Sequence, residues 1–453
     1  MTSLTHPRLS GLGSNPAASD DVLVRLAAHA AGRHGVELRD GRLADAVVEA
    51  LLTHGGSDSG VLMRRSLISP EMRRRIAAHP DAAIRDAHAD FIRSMVDLGV
   101  PTHIEALEEA YGEPRRALAG APDPKLRAAV AQTWWERPIE VQVALLADPD
   151  PQVRAAATTH ERPGVPPEWW DRCLADPATR ANVACHVPLT GEQFLALMRD
   201  GDEDVRQAVA GNPHLTADMV ARLLDVDDPI VRVAMAQSRH VDAKTRDNLY
   251  AHVERQRADG SIEAEVALNW HPVRPGWLSE APLDERLTYL DSPHVAFRRV
   301  LASCRDLPQE AWQRLDDDPD LQVRRIAARR PDTPPEVLER LVRAHGDEFR
   351  VRPPLVEHPH FPRHMLPTFA DEPDARVRHV ALQDPELPPP VLERLAAAEE
   401  PFLRQAVARH PNITDALLER LLYDPDPEVV HSAAANPVLR PERMNGILAD
   451  AGL

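Results

Sequence analysis

The stretch Leu421-Leu422-Tyr423-Asp424-Pro425-Asp426-Pro427-Glu428-Val429, running on to Ala433-Ala434-Ala435-Asn436-Pro437, contains the plan of the whole chain. Its core, complete as Asp-Pro-x-Val-Arg at Asp150–Arg154 and Asp228–Arg232 and varied in the other copies, recurs at a nearly fixed interval. Anchored on the apolar residue before the Arg, the copies fall at Ile84, Leu126, Val153, Thr179, Val205, Val231, Ile262, Phe297, Val323, Val351, Val377, Leu403 and Val429. Most successive gaps are 26 residues; the longest are 42, 31 and 35. A repeat on this scale means a stack of small units, each burying its apolar side on its neighbours.

Each unit is expected to hold two short helices. In one, Pro334-Pro335 opens a helix whose Val337, Leu338, Leu341 and Val342 form a stripe of helical period. The element recurs at Met219–Leu224, Val391–Leu395 and Leu417–Leu422. An acidic turn follows, for example Asp148-Pro149-Asp150-Pro151. Asp150 has the short acceptor side chain of an N-cap, and Pro151 the fixed φ of a first helical residue. The second helix then runs from Gln152 to about Thr159, with Val153, Ala156 and Ala157 on one face. It stops at a residue that tolerates left-handed geometry or caps with charge, followed by Pro, as in Asn212-Pro213, Asn436-Pro437, His410-Pro411 and His358-Pro359. No segment alternates like a strand, so the fold class is all-α.

A chain of 453 residues would ordinarily divide into two to four globular domains. The repeat replaces that division with a solenoid over residues 66–450, irregular around 232–300, where Trp270, Trp277 and a Pro-rich link intervene. Residues 1–65 stand outside the repeat. They read as an N-terminal helical cap with helices at Asp21–Ala31 and Leu43–Thr53, separated by Gly32 and Gly35.

The repeated pattern Leu-Leu-x-Asp-Pro-Asp-x-x-Val-Arg, continued by Ala-Ala-Ala-x-Asn-Pro, resembles the leucine-rich repeat variant family of bacteria, and its Asp…Val-Arg core resembles HEAT repeats. The resemblance covers roughly residues 66–445. It implies a right-handed α-solenoid of about 12–13 two-helix repeats, in which α or 3₁₀ geometry serves for one helix of each pair. Some members of the variant family carry an N-terminal cysteine cluster for an iron–sulfur centre. The first cysteine here is Cys173, so no cofactor is carried over.

Net charge is −18, which disfavours non-specific binding to nucleic acid or to an anionic membrane. Three scattered cysteines fit a reducing compartment, and the sequence shows no secretory signal or long apolar run; a soluble cytoplasmic protein is expected. The feature closest to a site is the Arg after each anchor: Arg85, Arg127, Arg154, Arg180, Arg206, Arg232, Arg298, Arg324, Arg352, Arg378 and Arg404. Such a ladder could bind phosphates or carboxylates. An acid three residues before every anchor but Phe297, four before the Arg, favours a structural role, through a pair within the helix or a bridge to the next repeat. Trp134-Trp135 and Trp169-Trp170 are candidate aromatic contacts, or one of each pair fills the core. His358, His360 and His364 lie close enough in sequence to suggest zinc, but His358 stands in the helix-stop column, where the helix dipole favours a His, and no metal or cofactor is assigned. No phosphate loop, Gly-x-Ser-x-Gly elbow or His-Glu-x-x-His occurs. Two functions follow as expectations. One is a non-enzymatic protein-interaction scaffold whose acidic surface suits a basic protein partner. The alternative is a HEAT-like nucleic-acid binder or DNA glycosylase using the Arg column and the Trp pairs.

Overall fold

The computed structural model describes residues 4–159, 163–199, 202–269, 275–347 and 353–453. Among them every regular element is a helix, and no strand occurs. Val351, Arg352, Glu348, Trp270, His160 and Pro272-Val273-Arg274 lie outside the described residues.

The unit quoted first shows how the local sequence folds. Thr414 caps helix Asp415–Leu421 through Oγ1, which accepts from the Leu417 N–H. Leu417, Leu418, Leu421 and Leu422 are buried. Asp426 caps helix Pro427–Ala434, its carboxylate accepting from the Glu428 and Val429 N–H groups. Val429, Val430, Ala433 and Ala434 are fully buried. Burying one Leu or Val side chain contributes about 1.5–3 kcal/mol, so no single pair of short helices would hold alone. Stacking supplies the missing cover.

The chain divides into two compact units, one of residues Ile92–Ala327 and one joining Met1–Phe91 to Ala328–Leu453. In the first, helix Pro124–Thr133 packs on Pro151–Ala157, and Arg180–Ala184, Glu203–Ala210 and Pro229–Ala236 follow in the same stack. Nearly all described anchors are buried; Val153, Val205, Val231, Phe297, Val323, Leu403 and Val429 are wholly so. Ile262 is the departure. It is 75% exposed, and helix Ile262–Asn269 instead packs Ala264 and Ala267 against Val233 and Val253. This helix and the long helix Ala243–Ala258 lie on Pro229–Ala236, so the Val-like residue at 262 anchors no layer.

In the second unit, helices Ala375–Ala381, Pro401–Ala408 and Pro427–Ala434 stack in chain order, and helix Thr5–Ser14 continues the stack, followed by Ala30–Glu37. The expected helix Asp21–Ala31 is split into Asp20–Leu26 and Ala30–Glu37, and Gly32 and Gly35 lie inside the latter. The glycines permit contact between helices. A Cβ on Gly35 would stand 2.0 Å from the Ser10 carbonyl oxygen, and one on Gly11 would stand 2.1 Å from that of His431. Several helices are 3₁₀, including Arg363–Asp371, which contains Pro367 and takes the place of a first helix.

Candidate functional site

The Arg ladder holds the stack together. Arg404 sends Nε and Nη2 to the Asp424 carboxylate at 2.8 and 3.0 Å, and Nη1 to the Ala398 and Glu399 carbonyls at 2.9 Å each. Arg127 binds Asp148 at 2.7 and 2.8 Å and the Ala121 and Pro122 carbonyls. Arg154 binds Asp176 at 2.6 and 3.3 Å, and Arg298 binds Asp318 at 2.7 and 3.3 Å. Arg378 reaches Glu400 at 3.1 Å. Arg324 bonds the Asp318 carbonyl at 2.5 Å, Arg232 bonds Asp227 at 2.5 Å, and Arg85 bonds the His79 carbonyl at 3.0 Å. Arg180 lies beside Asp176, and both Arg180 and Arg206 are half-buried. In the well-formed rungs each guanidinium is divided between the turn behind it and the acid ahead.

The pairing is across repeats, and the acids divide the work. Where the turn is Asp-Pro-Asp, the first acid takes the Arg of the preceding repeat and also accepts from the backbone N–H of the second. Asp148 accepts from Asp150, Asp318 from Asp320, and Asp424 from Asp426, at 2.8–2.9 Å. The second acid caps the helix, as Asp150 does for the Gln152 N–H. A cap carboxylate faces the N–H groups at the helix start, so it is Asp148 and its equivalents that meet the guanidinium. The Arg127–Asp148 side chains are 13% and 8% exposed, and those of Arg404–Asp424 12% and 6%. The Arg127 hydrogen bond pulls the Asp148 carboxyl below its usual range, and Arg154 does the same to Asp176. The Arg partners are raised in turn.

A second column of inter-repeat bonds was hidden in the helix-stop residues. Asn436 Nδ2 donates to the Ala408 and His410 carbonyls at 2.8 and 3.2 Å, and Asn212 to those of Ala184 and Val187 at 2.7 and 2.8 Å. His410 bonds the Asp384 carbonyl through Nε2 at 2.8 Å, and His358 bonds the Arg330 carbonyl at 2.9 Å. Left-handed geometry is not the reason for these residues, since Glu136 is the non-glycine residue with positive φ among those described. Nor is charge: burial lowers the His410 pKa and favours the neutral ring. Each side chain ties its repeat to the carbonyls of the one before. Asn15 fills the same place in the N-terminal segment, donating to the Ala434 and Asn436 carbonyls at 2.9 and 2.7 Å. The dipeptide Asn15-Pro16 was the available signal, without a Val-Arg copy ahead of it.

His360 bonds the Thr333 carbonyl through Nδ1 at 3.1 Å, so it and His358 face the preceding repeat, while His364 lies in helix Arg363–Asp371. Among the described residues no group of three or more His, Cys, Asp or Glu side chains is placed to hold a metal ion. Cys173, Cys185 and Cys304 form no disulfide among the described residues. Trp134 packs on the core while Trp135 is 66% exposed. Trp169 and Trp170 are both half-buried; Arg172 lies over Trp169 at 4.6 Å and Trp170 Nε1 bonds the Val165 carbonyl at 2.9 Å. Sequence reasoning missed Arg137. Its guanidinium is buried and bonds Gln142 Oε1 and the carbonyls of Ala131, Trp134 and Ala157. Burial brings its pKa down to about 10. No helix among the described residues is long and apolar enough to cross a membrane.

One cavity of about 460 Å³ lies on the second helices of the C-terminal repeats, with His379, Gln383, Phe402 and Arg409 in its wall. The ring centroids of His379 and Phe402 are 6.0 Å apart, and burial holds the His379 pKa down to about 4.

No curated protein matches the sequence. A crystal structure of an engineered protein is 16% identical, the alignment covering 98% of this chain and 99% of that one, but its TM-score of 0.18 carries no argument about the fold. Residues 378–437 match the family described as Leucine Rich Repeat Variant domain, and residues 321–346 the one described as Leucine rich repeat variant. These segments contain the Arg324, Arg378 and Arg404 rungs and the His410 and Asn436 staples just described. The chain thus carries leucine rich repeat variant repeats, at residues 321–346 and 378–437.

Proposed function

We propose that the protein is a non-enzymatic scaffold for protein–protein interaction. The observation that carries this reading is the engagement of the Arg column. In Arg127, Arg154, Arg298 and Arg404 every rung binds a carboxylate and at least one backbone carbonyl. Polar groups so engaged hold layers together and are withdrawn from phosphate chemistry. What the repeats offer to a partner is then the solvent face of their helices, the common use of a stacked array. Matching leucine rich repeat variant repeats support the same reading.

The test is affinity capture by the full chain from native lysate, followed by cross-linking and mass spectrometry to place the partner. A specific protein cross-linked to exposed helix positions, at micromolar or tighter affinity weakening with salt, is the expected result. Failure to retain any specific protein, together with salt-sensitive binding of duplex DNA in a gel shift, would replace the scaffold by the nucleic-acid reading.

A further inference from the structure

The solvent stripe of the last three second helices contains no acid at its central positions. Two and six residues past each anchor stand His379 and Gln383, Gln405 and Arg409, and His431 and Ala435. The chain as a whole carries 71 acidic residues and a net charge of −18. These six positions are thus neutral or basic on an acidic protein, with Glu428 the acid that acts on His431 from the same helix.

The cavity of about 460 Å³ falls on this stripe, within the range of sites that enclose a ligand group. Its wall combines apolar side chains, Leu382, Phe402 and Pro411, with polar ones, Gln383 and Arg409. Phe402 is 41% exposed, an uncovered aromatic surface beside the His379 ring. Arg409 differs from the ladder arginines. It is exposed, its Nε donates to Ser432 Oγ at 3.1 Å, and it enters no ion pair among the described residues. A guanidinium fork without a carboxylate, in one cavity wall with an exposed aromatic ring and a side-chain amide, matches a peptide carrying an apolar side chain and an acid.

Resting on the scaffold reading above, we infer that this cavity docks an acidic peptide segment of a partner protein. An apolar side chain of the segment covers Phe402 and Pro411, its carboxylate pairs with Arg409, and Gln383 bonds its backbone. The partner chemistry at this face is thus opposite in sign to that suggested by the net charge.

The experiment uses the full chain and fluorescein-labelled short peptides in anisotropy titrations. One peptide carries Leu-Phe-Glu-Asp between Gly-Ser flanks, a second has Lys in place of both acids, and a third has Ala in place of Leu and Phe. The first is expected to bind at least about tenfold more tightly than the other two, the range of one charge-assisted bond or one buried aromatic group. Arg409→Glu should reverse the order of the acidic and lysine peptides. Arg394→Glu, on helix Pro389–Leu395, should leave it unchanged, and circular dichroism should show both variants folded. Equal binding of acidic and lysine peptides, or an unchanged order in Arg409→Glu, overturns the assignment. A partner captured and cross-linked to another face would then leave the scaffold reading standing and remove only this site.

Discussion

Arg404 and Asp424 are twenty residues apart and meet through two hydrogen bonds of 2.8 and 3.0 Å, joining one repeat to the next. The pair is almost closed to solvent, and Asp424 simultaneously fixes its own turn through the Asp426 N–H. Removing one partner strands the other. Arg404→Ala is expected to destabilise the C-terminal repeats by about 3–5 kcal/mol. Asp424→Ala should cost at least as much, since the turn bond is lost too. A double-mutant cycle in urea denaturation measures the coupling; a coupling near zero would show that the rung holds nothing.

The Arg column and the buried His379 predict a stability that falls with acid in two windows. The Asp148 and Asp176 carboxyls are depressed by their arginines, so in the unfolded chain, with a pKa of about 3.9, they bind protons first. Their contribution is full above that value and is lost as pH falls through the lower folded pKa. His379 is a base depressed by burial to about 4, against about 6.5 in the unfolded chain. Its neutral form is favoured in the fold, so stability should already decline between pH 6.5 and 4. Urea midpoints measured from pH 7 to pH 3 should fall throughout, and His379→Gln should lessen the fall in the upper window, to which the buried His410 also contributes, and leave the lower one unchanged.

Asn15 is buried and donates to two carbonyls of the last repeats. Asn15→Ala leaves both acceptors without their partner, at a cost of about 1–3 kcal/mol. Gly11→Ala should be worse, because the new Cβ meets the backbone of helix Pro427–Ala434. Hydrogen exchange should report faster opening of that helix in both variants, although neither substitution lies within it. Unchanged protection there would separate the N-terminal segment from the array.

Leu421 is 2% exposed on the inner face of its helix. Leu421→Ala is expected to cost about 2–5 kcal/mol as a buried large-to-small change. Denaturation followed by exchange across the repeats checks the size of the loss and whether it stays with the neighbouring layers, as a nearest-neighbour stack requires.

The period of Val-Arg was legible because one layer's chemistry repeats in every other layer. Helix starts were equally plain, since Asp150 before Pro151 states a cap within two residues. What the sequence concealed lies between layers. The spacing of Asp150 and Arg154 suits a local pair and equally a bridge to the next repeat; the bridge forms, from Arg154 to Asp176 and from Arg127 to Asp148, and the spacing left open which acid of the next turn is taken. The role of Asn436 was misjudged for the same reason: a side chain reaching back to Ala408 leaves no local mark. Ile262 shows the opposite error, an anchor-like residue that stays in water. The cavity beside Phe402 could not be foreseen, because His379 and Arg409 come from successive layers.

Helix Thr5–Ser14 is synthesised long before helix Pro427–Ala434, on which one of its flanks rests. Asn15 and Asn436 are separated by 421 residues. At translation rates of about 5–20 residues per second, that flank waits roughly 20–80 s for its partner. During synthesis Ala30–Glu37 can cover one side at once, while the other remains an open, glycine-lined seat. A chain cut short before its final repeats would leave that glycine-lined seat without its cover.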